Sequence, residues 1–138
     1  MIEKISSNEL TLAFVLRADL KETVGTEFLT PDNLNLQLAQ MKFSKGHSIA
    51  PHIHKNVVRN IEGTAEALII KSGKVRVNFY DLSKNFIRDT VISAGDIILL
   101  FQGGHGFEVI EDSEFYEIKQ GPFLGTGVDK EKFEVNHG

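Results

Sequence analysis

Apolar and polar positions along this chain repeat mostly with a period of two. Val75-Arg76-Val77-Asn78-Phe79 alternates strictly, which predicts a half-buried strand. Leu36 to Phe43 is a strand-length run with interleaved polar residues. Ala67 to Lys71, Phe86 to Ile92, Ile97 to Phe101, Phe107 to Ile110 and Phe115 to Lys119 are further short β-rich runs. Turn signals separate them at Lys45-Gly46, Ser72-Gly73, Asp81 to Asn85, Ala94-Gly95-Asp96, Gly103-Gly104 and Glu111-Asp112-Ser113. Short strands with regularly spaced turns predict an all-β sandwich or barrel. Leu10 to Leu16 reads as a strand or a short helix, and the tail after Gly121-Pro122 reads as irregular chain.

Composition narrows this reading. The chain has 138 residues, 41% of them hydrophobic, which suits one domain with one core. The expectation is a single domain over 1–138, with a barrel core of about 36–119. Residues 1–35 would form an N-terminal strand and loop extension, and 120–138 a C-terminal tail. The formal net charge is −4 and no basic patch stands out, which argues against a nucleic-acid partner. There is no cysteine, so disulfide frameworks, thiolate zinc sites and cysteine nucleophiles are excluded together. The first residues lack the pattern of a signal peptide, and runs such as Ile97 to Phe101 are too short to cross a bilayer. A cytoplasmic protein without a membrane partner is expected.

The candidate chemistry starts at Pro51-His52-Ile53-His54. Residues two apart on a strand share a face, so the two imidazoles would sit side by side, as chelation of one ion requires. An H-x-H alone is more often a pair of surface histidines. Glu66 changes the balance, because it is in phase with Leu68 and Ile70, and a carboxylate on a core face needs a partner. His105 follows Gly103-Gly104 and is in phase with Phe107 and Val109. Three histidines and one glutamate make a plausible first-row transition-metal set with positions left open for a substrate.

These residues resemble the cupin superfamily. The first cupin motif reads G-x5-H-x-H-x3-4-E-x6-G. Gly46 through His54 matches its front half, and Glu66 through Gly73 its back half. Eleven residues, Lys55 to Ala65, stand where the family has three or four. The second motif, G-x5-P-x-G-x2-H-x3-N, is matched loosely from Gly95 to His105. Phe101 replaces the proline, His105 comes one residue early, and Val109 replaces the asparagine.

The resemblance implies a double-stranded β-helix, a jelly-roll barrel of two antiparallel sheets. It also implies a mononuclear site in which His52, His54, Glu66 and His105 hold one divalent transition metal: iron, manganese, nickel, cobalt or zinc. A homodimer is expected from it as well. The catalytic groups are open, with Arg59, Glu108 and Tyr116 as candidates. Lys55, Asn60, Lys119 and Gln40 are further possible contacts, and His47 and His137 read as bystanders.

Three functions fit. One is a metal-dependent enzyme, of oxygenase or isomerase type, acting on a small polar or carbohydrate-like molecule. The second is a metal-free sugar-nucleotide isomerase or epimerase using barrel histidines as acid and base. The third is a non-catalytic small-molecule binder.

Overall fold

The computed structural model describes residues 2–20 and 23–135. The chain forms two compact units, Met1–Leu20 with Gly63–Gly138, and Lys21–Glu62. Every strand pairing is antiparallel, and α1 (Thr126–Asp129) is a single helical turn. The protein is therefore almost entirely β. Among the described residues no helix is long and apolar enough to cross a membrane.

The larger unit is a sheet in the order β1 (Ile2–Ser7), β2 (Leu10–Leu16), β7 (Ile97–Leu100), β5 (Glu66–Tyr80), β6 (Phe86–Ser93), with β8 (Gly104–Lys119) on the other edge of β5. Strand β5 organises it. Along one edge β5 pairs with β8 from Glu66↔Lys119 to Tyr80↔Gly104. Along the other edge its first residues pair with β7 and its later ones with β6. The alternation seen in the sequence explains the core. Val75, Val77 and Phe79 are buried on one face, with Arg76 and Asn78 on the other. Ile5, Leu12, Leu68, Ile92, Ile98 and Leu100 complete the main cluster.

The sheet is strongly curled. Glu66 lies opposite Lys119, and His105 lies opposite Phe79, thirteen residues further along β5. Drawn out straight, that stretch would span about 40 Å at roughly 3.3 Å per residue. Yet the Glu66 and His105 side chains are 3.8 Å apart. The β5–β8 pair must therefore double back on itself, and the place where it bends is visible in its register. Shifts fall between Ile70 and Ser72, between Ser72 and Lys74, and between Lys74 and Val75. Gly73, at φ +86°, sits at the centre of that bulged region.

Here the structure departs from the expected punctuation. Ser72-Gly73 and Glu111-Asp112-Ser113 read as turns between strands, but both strands run through them. A bulge and a turn draw on the same residues, since both require glycine and short polar side chains. Ala94-Gly95-Asp96 and Asp81 to Asn85 are turns, as expected. Asp96 is buried and accepts hydrogen bonds from the backbone N–H groups of Ala18 (2.8 Å) and Ser93 (2.9 Å), and from Arg17 (3.2 Å). That one carboxylate ties the end of β2 to the β6–β7 turn. Leu10 to Leu16 is the strand β2. The strand β1 falls within the stretch 1–35 expected to form an N-terminal strand and loop extension.

The smaller unit holds a two-stranded sheet, β3 (Gly25–Phe28) with β4 (Ala39–Lys42). The strand expected from Leu36 to Phe43 is thus shorter. The loop between them is fastened by Gln37, which donates to the carbonyls of Pro31 and Leu34. From 41 to 63 every residue is exposed. Among the described residues, the one backbone–backbone hydrogen bond within 43–62 runs from the His47 N–H to Ser44.

A Cβ on Gly73 would overlap the Asp112 carbonyl oxygen and the Ser113 Oγ, whereas Gly125, also at positive φ, faces open space. Gly73→Ala should therefore cost about 3 kcal/mol or more, from backbone strain plus overlap. Gly125→Ala should cost only about 1 kcal/mol, from backbone strain alone. Urea denaturation of the two variants measures the difference.

Candidate functional site

The doubling back of β5 and β8 brings together groups that are distant in sequence. Glu66 opens β5 with 7% of its surface exposed, the first residue of a buried run. Its oxygen lies 3.8 Å from His105 Nε2, at the start of β8. Opposite residues of an antiparallel pair share a face. Lys119, opposite Glu66, and Glu117, opposite Leu68, therefore line the same face from the far end of β8. Glu117 hydrogen-bonds Glu66. Lys130, just past α1, adds a second cationic field on all three.

Burial, above all, raises the Glu66 carboxyl to about 7, aided by the hydrogen bond to Glu117 and that group's charge, against the pull of Lys130 and Lys119. The same hydrogen bond holds Glu117 below the usual carboxylate range, with Lys119, Lys130 and His105 adding to it and its own partial burial opposing. Burial also lowers His105, helped by Lys130 and opposed by Glu117. The proton thus sits on Glu66, which donates to the ionised Glu117. The Glu66–His105 separation of 3.8 Å is too long for a hydrogen bond.

The other two candidate ligands lie in the smaller unit. His52 and His54 have ring centroids 5.3 Å apart. His52 Nδ1 is 2.9 Å from the Ala50 carbonyl oxygen. Because a carbonyl only accepts, that contact assigns the proton to Nδ1 and leaves the Nε2 lone pair for a ligand. The four residues expected as one ligand set lie as two pairs, His52 with His54 and Glu66 with His105. Among the described residues, no group of three or more histidine, aspartate or glutamate side chains is preassembled to hold a metal ion.

The remaining candidates separate. Glu108 pairs with Arg76 at 3.1 Å, on the face of β8 opposite His105. Tyr116 is 53% exposed and also turned away from the face of Glu117. Lys55, Arg59 and Asn60 lie in the exposed stretch. Gln40 sits on β4, and His47 stacks on Phe43 beside a pocket of about 380 Å³ in the smaller unit. His137 lies outside the described residues.

Two residues of the cluster went unread. Glu117 is in phase with Phe115 and Lys119, so the period that placed Glu66 on a core face also places Glu117 there. Lys130 carries no such signal, since it follows irregular chain. No family model, curated protein or solved structure matches this chain, so the site is read from its own residues.

The electrostatics have a direct consequence for stability. A carboxyl whose folded pKa is raised stabilises the fold fully below its unfolded value of about 4.5, and that stability is lost as pH rises through about 7. Glu66→Gln keeps a donor for Glu117 and removes the loss. In chelator-treated protein it should melt higher than wild type at pH 8, by on the order of 3 °C, with the gap closing by pH 4.5. Thermal unfolding across that range measures it.

Proposed function

We propose that this protein is of cupin type and binds one divalent transition metal through His52, His54, Glu66 and His105. A small polar or carbohydrate-like molecule would be the substrate. The observation that carries this reading is the Glu66–His105 contact. Two separate sequence motifs nominated these residues for one ligand set, and they meet at 3.8 Å although thirteen residues of β5 separate their ladder positions.

The donor chemistry fits the ion. Three imidazoles with one carboxylate suit iron, manganese, nickel, cobalt or zinc alike. Glu66 and Glu117 form a crowded pair of carboxyls that a cation would relieve. When bound, the metal would supply a Lewis acid at neutral pH. The chain's own groups do the rest. Glu117 fixes the Glu66 carboxyl through their hydrogen bond. Lys119 and Lys130 bias the local field toward a substrate carrying negative charge. His105 supplies a neutral imidazole near working pH.

A second reading rests on the Glu66–Glu117 hydrogen bond, which requires one proton between two carboxyls. That proton, beside a neutral His105, is the equipment of an acid–base isomerase or epimerase that needs no metal.

Elemental mass spectrometry on untagged protein separates the two. The expected result is near-stoichiometric metal in wild type, reduced at least about tenfold in His54→Ala and Glu66→Gln. Wild type that refuses added iron, manganese, nickel, cobalt and zinc would sink the metal reading. The acid–base reading would then be tested by solvent-deuterium incorporation into keto-sugar nucleotides.

A further inference from the structure

We infer that Lys130, carried on a loop whose two ends flank the Glu66–His105 centre, binds the anionic group of the substrate, a carboxylate or a phosphate, a reading that rests on the site proposed above and names the class of molecule it takes.

The loop is defined by its anchors. It leaves the sheet at Gln120, whose N–H donates to the Ala65 carbonyl (3.3 Å) and whose side-chain oxygen accepts from the Ala65 N–H (2.8 Å). It returns at Phe133, whose ring meets Tyr80 edge-on with centroids 5.2 Å apart. The same ring packs so closely on Gly104 that a Cβ there would lie 2.9 Å from it. Lys84 fixes the return through an ion pair with Glu131 at 2.7 Å and a cation–π contact 5.8 Å from the Phe133 centroid. Ala65 adjoins Glu66, and Gly104 adjoins His105. Both anchors therefore stand one residue from the pair that meets at 3.8 Å. A chain that departs beside one member and comes back beside the other is an Ω-type loop with the centre at its neck.

Lys130 sits where this loop re-enters. The single turn α1 ends on it, its N–H donating to Thr126 at 2.9 Å, and Phe133 is anchored three residues later. Its charge reaches Glu66, His105 and Glu117 alike. That charge is not spent elsewhere. Lys71, Lys74, Arg76, Lys84 and Arg88 all hold ion pairs, whereas among the described residues Lys119 and Lys130 hold none. Lys119, opposite Glu66, leans on the outgoing limb of the loop, 5.6 Å from the Phe123 centroid. Two uncommitted ammonium groups thus converge on one centre, one from the sheet and one from the loop. An ammonium is a compact donor without the planar fork of arginine, so it takes carboxylate and phosphate alike.

The test uses the full chain, treated with chelator and held at constant pH and ionic strength. Inorganic phosphate and acetate are titrated separately, and the amide signals of Glu66, His105 and Glu117 are followed by NMR. At least one anion should give saturable shifts in the millimolar range, and the tighter of the two identifies the anionic group. Lys130→Ala should weaken its binding about tenfold, and Lys130→Arg should keep most of it. Phe133→Ala leaves every charge in place but frees the loop, so it should weaken the same anion at least about threefold.

Urea midpoints establish that each variant is folded. Lys130 is exposed, so its substitution decides alone if Phe133→Ala unfolds the chain. No saturable shift in wild type overturns the inference, and so does undiminished binding in Lys130→Ala or in folded Phe133→Ala. Metal uptake is read separately. Protein that binds the anion but refuses every metal keeps the role of Lys130 and removes the metal reading. Protein that binds metal but neither anion does the reverse.

Discussion

The structure of the larger unit depends on one ladder, the pairing of β5 with β8, and on its ability to bend. A flat ladder of this length would hold Glu66 and His105 about 40 Å apart. The bulged register around Gly73 lets the two strands fold over, so that the same strand pair contributes to both sides of a curled sheet. β6 and β7 then find separate stretches of β5 on the remaining edge. The core cluster, the buried Asp96 link between β2 and the β6–β7 turn, and the candidate site all follow from that bend. Gly73 is irreplaceable there for two reasons: its φ is positive, and the neighbouring strand fills the space a side chain would need.

The site shows how burial and charge divide labour between chemically identical groups. Glu66 and Glu117 are both glutamates in one hydrogen bond, yet one is driven toward the protonated form and the other away from it. Burial decides the direction for Glu66. The hydrogen bond from Glu66, helped by two nearby lysines, decides it for Glu117. A pair polarised in this way is a common arrangement where protons or cations are handled. His105 joins it from a strand end that only the fold brings close.

Much of this was legible in the sequence. Val75-Arg76-Val77-Asn78-Phe79 announced its own faces, and the phase of Glu66 with Leu68 and Ile70 announced a buried carboxyl. The pairing of Glu66 with His105 was legible only through the motif resemblance, since no local pattern encodes a contact across so many residues. The strand continuity at Ser72-Gly73 was not legible, because the residues that make a bulge are the residues that make a turn. Lys130 was invisible for a different reason. Its position depends on how an irregular tail returns to the sheet, and no periodicity governs that.

The acidic sequence of β8 has a consequence for solubility. An open strand of this length, bearing Val109, Ile110, Tyr116 and Ile118 at the surface, is the kind of edge on which identical molecules stack into aggregates. Its carboxylates prevent that at neutral pH, because two copies of β8 laid antiparallel would bring their acidic middles, Glu111-Asp112 and Glu114, close together. The protection is electrostatic and therefore conditional. The sequence pI is about 5.7. As acidification approaches that value, the molecule loses its net repulsion, and as the carboxylates themselves become protonated the edge loses its local guard. Mild acid is therefore the condition that weakens the electrostatic guard on this edge.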